Sequence, residues 1–189
     1  MVDDSLILCV TFSEVHGDIN CDLYSPREIH PFAYRVHTHK LGVVVTGYKI
    51  DHTTGEIEEI AKGNPQWPQA FYPMKKKVVI QPTDFVAARC TFSNKNSNVT
   101  THIGQTAGDE MCNLYIMYYT VSRDPEDHYL QCMDERFPRL TQFVPESSDI
   151  PLPRNSTLEE HAMHAHGGTS TEPVHSTIGK INLYLFYLF

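Results

Sequence analysis

The sequence is poor in positive charge, which argues against one whole class of partners. Its 189 residues include 15 Lys and Arg against 23 Asp and Glu, for a formal net charge of -8 at pH 7. The one run of lysines, residues 75–77, stands alone. Because general electrostatic binding to nucleic acid requires a basic surface, we expect no nucleic-acid partner.

The cysteines lack the spacing of the common metal and redox motifs. None of the five cysteines forms a C-x-x-C pair, which disfavours a zinc ribbon or a thioredoxin-type site. Two disulfides with one odd thiol remain possible. The sequons Asn98-Val99-Thr100 and Asn155-Ser156-Thr157 favour an extracellular, glycosylated chain.

Segments that would direct the chain to a membrane or across it are also missing. The start, Met1-Val-Asp-Asp-Ser5, has neither the basic nor the apolar region of a signal peptide. We therefore expect either a cytosolic protein or a chain whose front is missing. The apolar end, residues 181–189, is far shorter than the roughly 20 residues of a spanning helix.

What the sequence does contain is a series of short β-strand patterns. Apolar residues make up 41% of the chain, which is enough for a folded core. Branched and aromatic segments are separated by Gly, Pro and Asn clusters, a spacing that predicts an all-β sandwich. The predicted strands cover residues 6–12, 33–36 running into 41–50, 77–80, 85–92 and 111–121.

Two connections and a tail complete the predicted organisation. Residues 63–73 contain three prolines and predict a fixed loop, since proline cannot donate to a sheet. Residues 94–101 are polar and predict a hairpin connection. Periodicity disappears after Asp149, so we predict one domain over residues 1–153 and a disordered tail over 154–189. The tail pair His164-Ala-His166 has no scaffold around it, and we expect no metal there.

Two histidines follow a predicted strand at a spacing that suits metal binding. Side chains alternate along a strand, so His37 and His39 project from one face, about 6 to 7 Å apart at Cα. Arg35 has the same parity and lies on that face. The arrangement predicts two imidazole ligands for one metal with a guanidinium beside them.

The strand pattern over residues 111–121 has one apolar and one mixed face. Cys112, Leu114, Ile116 and Tyr118 share the apolar face, and the mixed face carries Met111, Asn113, Tyr115 and Met117. If the two strands are neighbours, a His-His-Met set forms. Imidazoles with a soft thioether suit copper, particularly Cu(I), better than zinc or magnesium.

Each of these residues also has an ordinary interpretation. A His-x-His pair is commonly a surface or structural feature. Methionines on a strand commonly fill gaps in a core. Asn113 and Tyr115 suit hydrogen-bonded strand positions, and Arg35 suits an exposed charge.

A longer set of motifs resembles a known family. The motifs are His37-Thr-His-Lys-Leu-Gly42, Asn64-Pro-Gln-Trp-Pro-Gln-Ala-Phe-Tyr-Pro73, Ala87-Ala-Arg-Cys90, Thr101-His-Ile-Gly104 and Asp109-Glu-Met-Cys-Asn-Leu-Tyr-Ile-Met-Tyr-Tyr119. Over roughly residues 6–153 they resemble the second, C-terminal copper domain of the copper type II ascorbate-dependent monooxygenases. The peptidylglycine α-hydroxylating branch is more similar than the dopamine β-monooxygenase branch. The resemblance implies an antiparallel sandwich of jelly-roll type.

The resemblance implies an activity and a role for each site residue. His37, His39 and Met111 correspond to the ligands of a single catalytic copper, with ascorbate as the family's reductant. Arg35 corresponds to the residue that holds the carboxylate of a glycine-extended peptide. The residues that would line the peptide pocket are Asn113, Tyr115 and Met117. The implied reaction uses molecular oxygen to hydroxylate the α-carbon of the C-terminal glycine, the first step of peptide amidation.

The resemblance also implies covalent links and a cellular compartment. The disulfides would join Cys90 to Cys112 and Cys21 to Cys132, which leaves Cys9 unpaired. Such bridges point to the secretory pathway or the extracellular space. His102 is a candidate for a residue that contacts a copper ligand without binding the metal itself.

The sequence departs from the family pattern at both ends. From the motifs, we expect this sequence to hold neither the electron-donor copper domain nor the lyase domain of the family. We therefore expect a partial chain that depends on the missing domain for repeated turnover. The alternatives are a copper- or peptide-binding module without catalysis, and a sandwich whose site is empty.

Overall fold

The protein is built almost entirely of β-strands. The structure, a computed structural model, describes residues 7–8, 14–22, 27–95, 99–120, 130–132, 144–153 and 182–188. The strands are β1 (Ile7–Leu8), β2 (Val15–Asp22), β3 (His30–His37), β4 (Gly42–Ile50), β5 (Ile57–Gly63), β6 (Tyr72–Pro73), β7 (Phe85–Phe92), β8 (Thr101–His102), β9 (Asn113–Thr120), β10 (Leu130–Cys132) and β11 (Asn182–Leu188). A 3-10 helix covers Glu146–Asp149. Among the described residues, no helix is both long enough and apolar enough to cross a bilayer.

Two sheets face each other across one core. The order in the five-stranded sheet is β10-β11-β9-β3-β6, and the order in the four-stranded sheet is β2-β7-β4-β5. Strands β1 and β8 form a separate pair. All pairings are antiparallel except that between β10 and β11. The prediction of an all-β antiparallel sandwich of jelly-roll type is confirmed.

The core is formed by the facing sides of the two sheets. The five-stranded sheet contributes Val36, Leu114 and Ile116, and the four-stranded sheet contributes Val45 and Val86, each with at most 3% of its surface exposed. The two sheets come close together at Gly47, where an added Cβ would lie only 2.5 Å from Leu114 Cδ2. A side chain at position 47 would therefore push the sheets apart.

A disulfide links the two sheets next to the candidate site. Cys90 lies on β7 and is bonded to Cys112, which directly precedes β9. Both residues are buried in the core. This bond was predicted from the resemblance and is confirmed. The bond fixes the start of β9 against the opposite sheet.

The strand predictions succeed in the sandwich centre and fail elsewhere. Strand β7 has the predicted bounds, and β9 covers most of the predicted 111–121 segment. The predicted strand at residues 77–80 is wrong, because only Ile80 pairs, in an isolated bridge to Ile29. The hairpin predicted at 94–101 is also wrong, since β7 and β8 lie in different sheets. Strands β2 and β5 were not predicted.

The end of the chain differs from the predicted disordered tail. Strand β11 pairs antiparallel with β9 over its whole length, from Asn182 opposite Thr120 to Leu188 opposite Leu114. Residues 182–188 of this tail form a strand whose backbone groups hydrogen-bond with the edge of β9. Residues 154–181, including His164, His166 and the second sequon, lie outside the described residues.

Candidate metal centre

The centre lies at the edge of the five-stranded sheet where β3 ends and its antiparallel neighbour β9 begins. Strand β3 pairs with β9 in a register that places Arg35 opposite Tyr115 and His37 opposite Asn113. The two strands are therefore neighbours, as a metal site shared between them requires. The core faces of β3 and β9 carry Val36 and Leu114, so the polar residues project from the other face of the sheet.

The two histidines of the motif lie side by side. The ring centroids of His37 and His39 are 5.4 Å apart, and the rings are nearly perpendicular, at 85°. The Nδ1 atom of His39 lies 2.6 Å from the backbone carbonyl oxygen of Asp109. Because a carbonyl oxygen only accepts, Nδ1 carries the proton and Nε2 keeps the lone pair that a metal requires.

The ring of His37 is oriented in the same way by a side chain. Its Nδ1 lies 3.2 Å from Gln69 Oε1, and Gln69 Nε2 donates to the carbonyl oxygen of Pro65 at 3.0 Å. The second bond assigns the amide orientation, so Oε1 is the atom that faces His37. His37 therefore also donates from Nδ1 and keeps a lone pair on Nε2. Metal-binding histidines usually make such a bond with the ring nitrogen that is not a ligand.

A buried carboxylate holds the histidine loop against the start of β9. Glu110 is 2% exposed, and its two oxygens accept from the backbone N–H of His39 at 2.8 Å and of Leu41 at 2.7 Å. The backbone N–H of Glu110 donates to the carbonyl oxygen of His102 at 2.8 Å. Since Met111 follows Glu110 directly, this clasp brings the second histidine and the predicted thioether ligand to the same end of the sheet.

The turn between β3 and β4 depends on a close approach. An added Cβ at Gly42 would overlap the side chain of Thr38, which is itself buried. Gln66 Nε2 bridges the carbonyl oxygens of His39 and Gly42, at 2.7 and 3.1 Å. The turn is thus closed from both sides, and His39 has a fixed backbone.

The residues predicted to bind a peptide form a second group on the same strands. The guanidinium carbon of Arg35 lies 5.1 Å from the centroid of the Tyr115 ring, and Arg35 Nε donates to Gln69 Oε1 at 3.3 Å. Asn113 Nδ2 donates to the Tyr115 hydroxyl at 2.9 Å. Met117 is half-buried and lies opposite Ala33 on β3.

A cleft of about 670 Å³ opens beside the histidines. Its walls include His37, His39, Pro65, Trp67 and Asp109, whereas the Arg35 and Tyr115 group lies outside it. Asp109 accepts from the hydroxyl of Thr106 at 2.7 Å and from its backbone N–H at 3.0 Å, which lowers the pKa of the Asp109 carboxyl. The cleft rim therefore keeps a negative charge.

Several predicted features stay predictions. In the part of the chain that the structure describes, no three His, Cys, Asp or Glu side chains cluster as metal ligands, and the third ligand predicted here, Met111, is a thioether whose role stays a prediction. The side chains of Cys21 and Cys132, and the whole of Cys9 and Asn98, lie outside the described residues. The side chain of His102 is exposed, and only its backbone touches Glu110.

Sequence reasoning missed two residues that hold this centre together. Gln69 and Glu110 both stand inside motifs quoted above, but neither has a sequence pattern that marks it as a support. Their roles follow from hydrogen bonds across 32 residues for Gln69 and about 70 for Glu110.

Comparison with known proteins identifies the family. The family model described as copper type II ascorbate-dependent monooxygenase, C-terminal domain, matches residues 7–142. The chain belongs to this family. The donor set of this monooxygenase domain fits copper, because two imidazoles whose Nδ1 atoms face acceptors lie at one end of the sheet, and the thioether residue Met111 follows Glu110, which bonds to the histidine loop.

Similar proteins come from two branches of the monooxygenase family. Peptidyl-glycine alpha-amidating monooxygenase A of Xenopus laevis is 48% identical over 139 residues, covering 74% of this chain and 14% of the relative. The mouse peptidyl-glycine alpha-amidating monooxygenase is 41% identical over 152 residues, covering 80% of this chain and 15% of the relative. Dopamine beta-hydroxylase of Canis lupus familiaris is 32% identical over 96 residues, or 50% of this chain and 15% of the relative. The chain thus spans 14% to 15% of the length of these curated relatives.

Proposed function

We propose that this chain is the catalytic-copper domain of an enzyme that hydroxylates the α-carbon of a C-terminal glycine in peptides. One observation carries the proposal: the oriented pair His37 and His39 lies at the end of the strand that carries Arg35, and one glutamine side chain contacts His37 and Arg35. The greater similarity to the peptidyl-glycine alpha-amidating monooxygenases, in identity and in length, supports a peptide substrate over dopamine.

Copper would be held by the Nε2 atoms of His37 and His39 and by the thioether of Met111. When bound, it would supply one-electron chemistry with molecular oxygen, with ascorbate as the reductant of the family. A thioether is a soft ligand that favours the reduced metal. Asp109 and Gln69 keep the two imidazoles in the ligand tautomer by accepting from Nδ1.

The peptide would be positioned by its carboxylate. Arg35 uses Nε and its flat face within the protein, on Gln69 and on Tyr115, so the two terminal nitrogens of its guanidinium suit a bidentate carboxylate. Asn113 orients the Tyr115 hydroxyl at the same wall, and Met117 extends the wall along β9. Fixing the terminal carboxylate fixes the adjacent glycine α-carbon relative to the metal, which is how positioning accelerates a reaction.

The compartment and the assembly are part of the proposal. The Cys90–Cys112 disulfide supports the secretory pathway or the extracellular space, where such bonds persist. The relatives are several times longer than this chain, so we propose that an electron-donor copper domain acts together with it.

Substitution of Arg35 tests the peptide half of the proposal. We expect Arg35→Ala to weaken binding of a glycine-extended peptide by roughly 10- to 100-fold, since a charge-assisted pair contributes about 1.5 to 3 kcal/mol. Binding of the same peptide as its C-terminal amide should not change. Isothermal titration of the copper-loaded chain with both peptides measures the difference.

Two variants make this test specific. Arg27→Ala removes an exposed guanidinium away from the site and should leave both affinities unchanged. Arg35→Lys keeps the charge but loses the planar fork, so an intermediate loss is expected. An equal loss for the acid and the amide in Arg35→Ala contradicts the carboxylate role. Ascorbate-driven product formation with the donor domain present then distinguishes an enzyme from a module that only binds copper and peptide.

A further inference from the structure

One exposed side chain connects the two halves of the candidate site. Gln69 Oε1 lies 3.2 Å from His37 Nδ1 and accepts a hydrogen bond from Arg35 Nε at 3.3 Å. A single amide oxygen therefore touches both the predicted metal ligand and the predicted carboxylate-binding residue.

The other end of the same amide is fixed to the backbone. Gln69 Nε2 donates to the carbonyl oxygen of Pro65 at 3.0 Å. Flipping the amide would place an oxygen against that carbonyl and an N–H₂ group against two donors. Pro65 is buried, so its carbonyl is a fixed reference for the amide. The loop of residues 63–73 thus presents an acceptor, and never a donor, to His37 and Arg35.

We propose that Gln69 is a positioning residue that sets copper affinity through His37 and carboxylate affinity through Arg35. The inference rests on the proposed function. At His37, the Oε1 atom holds the proton on Nδ1 and keeps Nε2 available to the metal. At Arg35, the same atom holds Nε, which turns the terminal nitrogens of the guanidinium outward.

Two substitutions of similar size should have different effects on copper affinity. Gln69→Leu removes the acceptor and should weaken copper binding by roughly 10- to 100-fold, the usual effect of losing the partner of a ligating histidine. It should also weaken binding of a glycine-extended peptide. Gln69→Glu keeps an acceptor for both residues, so copper binding should stay within about threefold of the wild-type value.

The glutamate nevertheless places a negative charge beside Arg35. That charge competes with the carboxylate of the peptide, so Gln69→Glu should lose about tenfold in affinity for the free acid. Its affinity for the peptide amide should not change. Gln69→Leu therefore lowers the affinities for copper and for the free-acid peptide. Gln69→Glu lowers only the affinity for the free-acid peptide.

A purely structural role for Gln69 predicts a different pattern. Both variants lose the N–H group that donates to Pro65. If Gln69 only anchored the loop, the two variants would therefore show equal changes in copper affinity and in peptide affinity. Because Gln69 is exposed, neither substitution disturbs the core, and thermal unfolding of both variants should match the wild type. Gln81→Leu is the matched control, since Gln81 is an exposed glutamine whose amide donates to Glu28, away from the site.

The experiment uses the full, disulfide-bonded chain. Copper affinity is measured by competition with a chelator of known strength, and peptide affinity by titration of the copper-loaded chain with the acid and the amide. Separation of the two affinities in Gln69→Glu, with loss of both in Gln69→Leu, supports the inference. Equal behaviour of the two variants overturns it. If wild-type chain binds copper but does not prefer the acid, the proposed function fails, and the copper measurement alone decides the role of Gln69 at His37.

Discussion

Replacing Glu110 with alanine should both destabilise the sandwich and remove its copper site. The buried carboxylate accepts from the backbone N–H groups of His39 and Leu41, at 2.8 and 2.7 Å. Alanine would leave two partly buried donors without their partner, at about 1 to 3 kcal/mol each. We expect the free energy of unfolding to fall by about 2 to 6 kcal/mol, measured by urea denaturation, together with loss of stoichiometric copper.

Two further variants test whether this clasp is the cause. Glu110→Gln keeps one acceptor but turns an N–H₂ group toward a backbone donor, so we expect a loss close to that of alanine. Glu56→Ala removes an exposed carboxylate on the turn before β5 and should change stability by less than about 0.5 kcal/mol. Wild-type stability and full copper binding in Glu110→Ala would show that the histidine loop is held by other contacts.

Removing the Cys90–Cys112 disulfide should have the second large effect. The bond joins residues 22 apart and connects the two sheets beside Met111. Loss of a native disulfide from a small domain costs about 2 to 5 kcal/mol, and the freed start of β9 would no longer hold Met111 in place. We expect Cys90→Ala/Cys112→Ala to unfold at lower urea concentration and to bind copper more weakly.

The redox state supplies the control for this prediction. Under reducing conditions the wild-type chain also lacks the bond, so its stability should approach that of the double variant. Under oxidising conditions the wild-type chain should be more stable than the double variant. If the difference is the same in both conditions, lost packing of the two buried sulfurs, and not the covalent link, accounts for the effect.

The centre of the fold was predictable because its strands carry clear signals. Strand β7 is rich in branched and aromatic residues, and β9 alternates cleanly between buried and half-buried positions. Parity along β3 and β9 also predicted which side chains share a face. The observed register, with Arg35 opposite Tyr115 and His37 opposite Asn113, agrees with that prediction.

The strands that were missed are stabilised by their neighbours and not by their own sequence. Strand β2, Val15–Asp22, contains a glycine and two aspartates, which are poor strand formers. It forms because it pairs with β7 along its whole length and because Asp18 makes a bidentate ion pair with Arg89, at 2.8 Å for both bonds. Strand β5 is an edge strand rich in Glu and Lys, a composition that protects edges but reads as a helix or loop.

The wrong strand at residues 77–80 has the opposite cause. Its valine and isoleucine are buried, at 2% for Val78 and 0% for Ile80, so the apolar signal was real. These residues fill the core from a loop, and only Ile80 forms a β-bridge. Apolar composition indicated burial correctly but not backbone pairing.

The supports of the candidate centre could not be predicted from local patterns. Gln69, Asp109 and Glu110 act through hydrogen bonds that span 32 to 71 residues and that depend on how loops meet at the sheet end. No spacing rule links such positions. The two-residue period of a strand accounts for Arg35 and His37 on one face, whereas His39 and Met111 lie beyond the strand ends. Their placement, and the groups that orient the two imidazoles, follow only from the assembled fold.

The most direct test of the central claim is the copper content of the chain. The oxidised chain is reconstituted with copper, loosely held metal is removed, and copper per protein is measured beside His37→Ala and His52→Ala. His52 is a histidine that packs against Phe85, away from the centre, and serves as the control. We predict one tightly bound copper per chain in the wild type and in His52→Ala, and none in His37→Ala. Absence of tight copper from the wild type, or equal copper in His37→Ala, would contradict the proposed metal centre.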